Sequence, residues 1–375
     1  MIYEFPPVGG GGGRAAQDLY PVLVNLGYEI KLVTSHYKGL PRREEIEGVQ
    51  VIRVPALRRH AYEANFLTMF AYIISGFIAS LSLIRRWRPD LIHVHFAVPS
   101  GPLAWLLWRF TGIPYILTAH LGDVPGGVPG KTGGWFKWVY PFTPPVWRSA
   151  VQVVAVSEFT RRLALKYYPV DIRVIPNGVD VARLNPNANE TGSPPQIVFA
   201  GRFVEQKNPL QIVHTLAELR DLNWKCVLMG DGALRAQMEE ELTRLGLEKR
   251  VSLPGWVTPE EVLDQFNRSD ILFVPSKSEG LPVVGVQALA KGLAIVASKV
   301  GGWTDLVDSG TNGYLVDPQH PNEYAHVLRG LLSDDHLLQS FRAASLRKAW
   351  QFDLSVVAQQ YASIYQSLAH QSDGQ

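Results

Sequence analysis

Short apolar runs, each about as long as a buried strand, alternate along the chain with segments whose apolar positions recur at helical spacing. In the first half the strand-like runs fall at 2–5, 29–34, 49–54, 91–95, 115–118, 151–156 and 172–175. Helical segments lie between them over about 14–26, 102–110 and 158–167. A second series of runs follows at 197–200, 225–229, 251–253, 271–274 and 294–297, and from about Pro321 onward the pattern is helical only. Strands separated by helices predict a parallel, doubly wound sheet. The stretch 183–196 (RLNPNANETGSPPQ) has the composition of a linker. The expectation is therefore α/β: two Rossmann-like doubly wound domains, 1–182 and 183–350, facing each other across a cleft. A last helix within 351–375 is expected to pack back towards the first domain. Ligands bind outside the carboxyl ends of such strands, so both sheets should offer loops to one site.

One segment departs from that alternation. Residues 66–84 (FLTMFAYIISGFIASLSLI) carry no charge and are flanked by Arg58, Arg59, Arg85, Arg86 and Arg88. Length and flanks fit a transmembrane helix. Thr68, Ser75, Gly76, Ser80 and Ser82, with a strand immediately after, favour a buried or membrane-surface crossover helix instead.

Composition narrows the class. At 375 residues the chain exceeds one ordinary core. The formal charge of +2 is too small for a bulk nucleic-acid binder. The single cysteine, Cys226, excludes an intrachain disulfide framework and a Cys-based zinc site, and its apolar surroundings (WKCVLMG) predict a buried, inert thiol. The opening MIYEFPPVGGGGG has neither a basic n-region nor an apolar h-region, so a cytoplasmic location is the expectation.

The chemistry concentrates in 274–292, VPSKSEGLPVVGVQALAKG. A strand breaks at Pro275, a polar loop carries Glu279, Gly280, Leu281 and Pro282, and an apolar helix follows. Such a step aims backbone N–H groups and the positive end of a helix dipole at one place, where an anion can sit beside a carboxylate. Arg202 and Lys207 follow another strand end in AGRFVEQKN and can reach one anion together, the Arg as a planar fork and the Lys as a point charge. Gly9 to Gly13 precede a helix and permit close backbone approach to a ligand. The run lacks a G-x-G-x-x-G fingerprint with an acidic partner, which argues against a dinucleotide dehydrogenase. His93 and His95 share a strand face but lack a third ligand, so they read as structural. No D-x-D occurs, so no metal is expected to carry a diphosphate.

Taken in order, FPPVGGGGG, RPDLIHVH, TAHLGD, AVSE, IPNGVD, FAGRFVEQKN, LMGDG, LPGWV, VPSKSEGLPVV and VGGWTDLV…GTNGYLV resemble the GT-B glycosyltransferases of retaining family 4 (glycosyl transferases group 1) over nearly the whole chain. The resemblance implies a nucleotide-sugar donor, a sugar or lipid-linked glycan acceptor, no cofactor and no metal. The first domain would hold the acceptor and the second the donor. It assigns catalytic roles to Glu279, Arg202, Lys207 and His120. Donor contacts would come from Gly10, Gly11, Gly12, Gly230, Asp231, Trp256, Val257, Gly280, Leu281, Pro282 and position 287. Glu279 would bond hydroxyls of the donor sugar, Arg202 and Lys207 the diphosphate, and His120 the sugar. The family's second glutamate, which grips the ribose, is replaced here by Gln287, an amide with one acceptor oxygen and no charge. The first strand also looks short against relatives.

The expected reaction is sugar transfer to an acceptor hydroxyl with retention, the acceptor being a lipid-linked or polysaccharide precursor of the cell envelope. Rival readings are a GT-B epimerase or phosphorylase, a non-catalytic nucleotide-sugar-binding protein suggested by Gln287, and an integral membrane protein resting on 66–84. A peripheral membrane contact is expected from the apolar helix, its arginines and the aromatic residues Trp135, Phe136, Trp138, Tyr140, Phe142 and Trp147.

Overall fold

The computed structural model describes residues 1–60, 65–128, 136–184 and 193–372, without side chains for 136–137 and 369–372. The chain divides into two compact units, Met1–Gly178 with Leu354–Gln375, and Val179–Asp353. The chain crosses between units at 178/179 and 353/354, a few residues from the sequence-based limits at 182/183 and 350/351. The two crossings are tied together: Val179 and Asp353 form a parallel bridge, and the Asp353 carboxylate accepts from Val181 N at 3.0 Å. Most of the linker-like stretch, 185–192, lies outside the described residues.

The first unit holds strands β1 (Lys31–Ser35), β2 (Arg43–Ile46), β3 (Val49–Val54), β4 (Ile92–His95), β5 (Tyr115–Ala119), β6 (Gln152–Ala155) and β7 (Ile172–Val174). They form two ladders, β1-β3-β2 and β4-β5-β6-β7, parallel except for the edge strand β2. Residues 1–3 close the gap between the ladders. Ile2 N donates to Val33 O at 3.1 Å, His95 N donates to Met1 O at 2.9 Å, and Ile2 bridges His95 in parallel. The short first run is thus the central strand of the unit, and the chain order reverses between it and β4.

Helix α1 (Gly11–Asn25) begins inside the glycine run, with Gly10 as N-cap. The sequence places its start at about Arg14, and the structure starts it three residues earlier on a glycine N-cap, a position glycine favours. Helix α2 (Phe66–Trp87) is the uncharged segment extended through its arginines, started by Asn65 in a capping box with Thr68. Helix α3 (Ser100–Thr111) ends on Gly112 in the left-handed region.

The second unit is a single parallel sheet of β8 (Gln196–Ala200), β9 (Lys225–Met229), β10 (Val251–Gly255), β11 (Ile271–Val274), β12 (Ala294–Ser298) and β13 (Gly313–Val316), in the order β10-β9-β8-β11-β12-β13. Strands β11 and β12 are buried along their whole length, as helices on both faces of a parallel sheet require. Strands β2 and β13 lie outside the apolar runs of the sequence: the first is an exposed, charged edge, and the second opens on the last residue of the glycine-rich GTNG. After helices α4 (Pro209–Ala217), α5 (Val283–Ala290) and α6 (Asp335–Ala349), the last helix, α7 (Leu354–Ser372), belongs to the first unit. Its Leu354, Val357, Ala358, Tyr361 and Ile364 share a core with Ala16, Leu19, Tyr20 and Leu23 of α1. In the second unit a buried ion pair, Arg342 Nη1 to Asp270 Oδ1 at 2.8 Å, ties α6 to the sheet. Cys226 is buried and its thiol is pushed up by burial.

Candidate functional site

In the second unit the strand order reverses between β8 and β11, which is where an open α/β sheet leaves a crevice at its carboxyl edge. The two strands pair over Ile197–Val198 and Ile271–Leu272, and their continuations carry Arg202, Lys207 and Glu279. Lys207 Nζ forms an ion pair with Glu279 Oε1, both side chains being largely buried. Ser276 Oγ, fully buried, donates to the same oxygen at 2.8 Å. Both bonds fall on Oε1, which leaves Oε2 for a ligand hydroxyl. Arg202 is exposed and makes no ion pair with a described residue, so its guanidinium is available to an anion.

The two loops are fastened to one another. Gln206 Nε2 donates to Ser278 O at 3.0 Å, Lys277 N donates to Gln206 O at 2.8 Å, and Lys277 Nζ pairs with Glu205 at 2.7 Å. A third loop supports them. Gly301, at φ +57, lies so close that a Cβ there would meet Glu279 O at 1.7 Å, and one on Gly302 would meet Gly280 O at 1.9 Å. Gly302 N donates to Glu279 O at 3.3 Å. Only glycine fits both positions, and together they set the path of Glu279 and Gly280. Leu281 is buried, and Pro282 is the N-cap of α5, so Gly280, Leu281 and Pro282 sit at that helix's positive end.

Along the same edge, Gly230 N donates to Gly255 O at 2.9 Å and Asp231 O accepts from Phe203 N at 2.9 Å, joining the turns after β8, β9 and β10. Asp231 is exposed and lies 3.7 Å from Arg235 Nη1. Trp256, 63% exposed, and the half-buried Val257 follow β10. Gln287 is half-buried in α5, and its side chain has no hydrogen bond to a described residue. Ser276, Gln206, Gly301 and Gly302 were not singled out in the sequence, although the Gly-Gly pair directly after a strand was a usable signal.

The first unit has a counterpart at its own reversal point. Gly10 and Gly11 are exposed at the start of α1, and Gly12 faces two rings: a Cβ there would meet Phe96 Cζ at 2.7 Å and His120 Cε1 at 3.0 Å. His120, just past β5, stacks on Phe96 and is buried, with Nε2 lacking a partner among the described residues. Burial lowers its pKa to about 4, so it is a neutral imidazole near pH 7. Asp123 holds the turn, accepting from His120 N at 2.8 Å. Phe96 adopts φ +70, a backbone strain that survives only where the surroundings impose it.

His93 bonds Tyr365 Oη at 2.7 Å and Thr118 Oγ1 at 2.8 Å, which accounts for both its ring nitrogens. His95 lies beside it and is held neutral by burial, then by His93 and His120. Among the described residues no three His, Cys, Asp or Glu cluster as metal ligands. The aromatic group expected at a membrane divides: Trp147 is buried against Tyr168, its rings 4.1 Å apart, while Trp138 and Phe142 are exposed. Trp135 and the Phe136 side chain lie outside the described residues. Arg58 is also turned inward, towards Glu4 at 3.4 Å.

Comparison with known proteins agrees with this geometry. Residues 182–348 match the family described as Glycosyl transferases group 1, and residues 9–183 match Glycosyltransferase Family 4. The chain is 32% identical over 290 residues to TuaC of Bacillus subtilis, a glycosyltransferase assigned to teichuronic acid biosynthesis, covering 74% of this chain and 70% of that one. Among solved structures, sucrose-phosphate synthase from Thermosynechococcus elongatus superposes with a TM-score of 0.85 at 22% identity, covering 96% of this chain and 94% of that one. The Anabaena protein HepE in complex with UDP-glucose gives 0.75 at 18% identity, with 98% of each chain covered. With both halves of the chain matched and both units built as Rossmann-like sheets, the protein belongs to the glycosyl transferases group 1, of the family 4 type, and has the GT-B fold.

Proposed function

We propose that this glycosyltransferase moves a sugar from a nucleotide-sugar donor to an acceptor hydroxyl with retention of anomeric configuration and without a divalent metal. The observation that carries the reading is the meeting of Lys207 and Glu279 at the β8/β11 reversal, with Arg202 exposed in the loop after β8 and Pro282 capping α5. Arg202, Lys207 and the N-terminal N–H groups of α5 take the diphosphate, where a metal would otherwise be needed to offset its charge. Glu279 Oε2 accepts sugar hydroxyls, Trp256 and Val257 adjoin the nucleotide, and Gln287 offers one donor and one acceptor to the ribose. HepE, solved with UDP-glucose, supports a donor of this class.

Glu279 is held on its Oε1 by Lys207 and Ser276, which suits a carboxylate that orients hydroxyls better than one that attacks carbon. Same-face displacement follows. The bond from the anomeric carbon to the phosphate oxygen breaks with its electron pair leaving on that oxygen. The acceptor oxygen bonds the same carbon, and its proton passes to the departing phosphate. The protein supplies orientation and charge stabilisation. In the first unit the neutral His120 is read as a sugar contact.

The acceptor class is a lipid-linked or polysaccharide precursor of the cell envelope, met by a cytoplasmic protein at a membrane surface. Teichuronic acid biosynthesis, named for TuaC, is of that kind. The deciding experiment is a thermal-shift screen of UDP-, GDP- and ADP-sugars, followed by transfer to glycan acceptors and NMR of the product linkage. A stabilising donor and a product of retained configuration are expected. Binding without transfer or hydrolysis would favour a non-catalytic protein, and an inverted product would overturn the mechanism.

A further inference from the structure

Helix α2 is built with its greasy side outward. Residues four apart lie on one face of a helix, and rows two residues apart lie on roughly opposite faces. The buried row is Thr68, Tyr72, Gly76 and Ser80. The opposite row is Phe66, Phe70, Ile74 and Ile78, followed by Ser82 and Arg86. Those four apolar side chains are between 46% and 64% exposed, as is Leu67 beside them.

The buried row is fastened to the sheet by polar bonds. Tyr3 Oη donates to Thr68 Oγ1 at 2.8 Å, and Tyr72 Oη donates to Val33 O at 3.4 Å. Gly76 lies against Leu103 of α3, and at the far end the Lys31 ammonium lies 4.4 Å from the Trp87 ring. A helix held in this way cannot cross a bilayer without leaving its sheet, although it is long and apolar enough to do so by length and composition. Its partly buried Met69, Ile73 and Phe77 complete the core contact, so the outward row is not needed for folding.

The patch continues onto α3. Phe77 meets Phe110 edge to face at 5.5 Å, and Phe110 is 70% exposed. An apolar surface of this extent marks an interaction site. Its charge setting selects the partner. Arg85, Arg86 and Arg88 at one end of α2, Arg109 on α3 and Arg59 before α2 are exposed, and none forms an ion pair with a described residue. No Asp or Glu occurs from 65 to 89. An apolar row closed by exposed arginines is complementary to a lipid surface bearing anionic head groups, with the side chains entering the acyl boundary and the guanidinium groups at phosphate depth.

We infer that the outward face of α2, with Phe110, is a monotopic docking surface for an anionic bilayer. This deepens the membrane-presented acceptor proposed above, and the surface can be tested without any acceptor. The full chain is sedimented with phosphatidylcholine vesicles and with vesicles containing phosphatidylglycerol, each at low and high salt. Two variants are compared, Phe70→Ser/Ile74→Ser/Ile78→Ser and Arg85→Glu/Arg86→Glu. Binding to the anionic vesicles at low salt is expected, weakened by salt and lowered about tenfold or more by either variant. Melting temperature and donor-induced thermal shift of the variants are expected to match the parent, which separates docking from folding and from the donor site. Absence of the parent from every vesicle pellet would overturn the inference. So would a concentration-dependent dimer, seen by sedimentation equilibrium, that only the triple serine variant abolishes, because the face would then belong to a second copy. Loss of sugar transfer with vesicle binding intact would count against the enzymatic reading and leave the docking surface standing.

Discussion

Phe96 lies face to face with His120, their ring centroids 4.2 Å apart and their planes 25° from parallel. Gly12 closes the third side of the pair, and Phe96 holds its place there with a backbone in the left-handed region. Gly12→Ala would place a methyl within contact-breaking range of both rings. We expect kcat/KM to fall about tenfold or more, with a stability loss of about 1–3 kcal/mol from overpacking. Phe96→Leu, which removes the stack without adding bulk, should lower kcat/KM with a smaller change in melting temperature. Parent-like kinetics in both variants would show that the imidazole's orientation does not matter to turnover.

A second prediction concerns the pair in the other unit. Lys207→Ala removes the cation proposed to stabilise charge on the departing diphosphate and leaves Glu279 nearly buried without that partner. Turnover is expected to fall by roughly two orders of magnitude. Because Glu279 loses its orientation as well, Lys207→Ala combined with Glu279→Gln should cost much less than the sum of the single losses. Additive losses, measured in a double-mutant cycle, would mean that the two residues act separately.

How much of this was legible in the sequence depends on where the information is stored. The strand series was legible because parallel strands are locally apolar, and the meeting of Lys207 with Glu279 because both follow strand carboxyl ends, the edge at which such sheets bind ligands. Ser276, Gly301 and Gly302 were not, because their roles come from contact between loops that only the folded sheet brings together. Phe96 is an ordinary aromatic in sequence, and its φ of +70 is a tertiary imposition. The inverted burial of α2 was hidden for a different reason. Thr68, Gly76 and Ser80 recur at helical spacing, but the usual rule assigns such a small and polar row to the outer face, and here it is the inner one.

The pH dependence follows from His120. Its folded pKa of about 4 lies below the unfolded value near 6.5, so the unfolded chain takes up a proton that the folded one refuses. Its contribution to stability is fully present above pH 6.5 and is lost as pH falls from 6.5 towards 4. His93, lowered to about 3 by burial, acts in the same direction and extends the loss lower. Melting temperature should therefore fall across that window, and His120→Asn should remove part of the fall. An unchanged slope in the variant would show that His120 is solvated and titrates normally.

Transfer activity is expected to survive chelation. The motivation is the absence of D-x-D together with Arg202, Lys207 and the α5 N-terminus gathered at one strand edge. Rates measured before and after exhaustive EDTA should agree within about twofold, an allowance for indirect effects of the chelator. Complete loss restored by Mg²⁺ or Mn²⁺ would place a metal on the diphosphate and reassign Arg202.

The last expectation concerns Gln287. Its amide, half-buried in α5 and without a hydrogen bond to a described residue, is the group we propose at the ribose. Replacing it with a carboxylate supplies two acceptor oxygens and a negative charge to a ribose diol. Gln287→Glu should tighten donor binding by at most about 1 kcal/mol, or roughly fivefold in Kd, because the amide already offers one acceptor and one donor. Helical spacing puts Lys291 on the same face, where it could compete for the new carboxylate. Calorimetric titration of the donor is therefore to be repeated with Lys291→Gln present. Tightening in both backgrounds would place position 287 at the ribose. A large loss of affinity in both would mean that Gln287 donates a hydrogen bond that no carboxylate can replace.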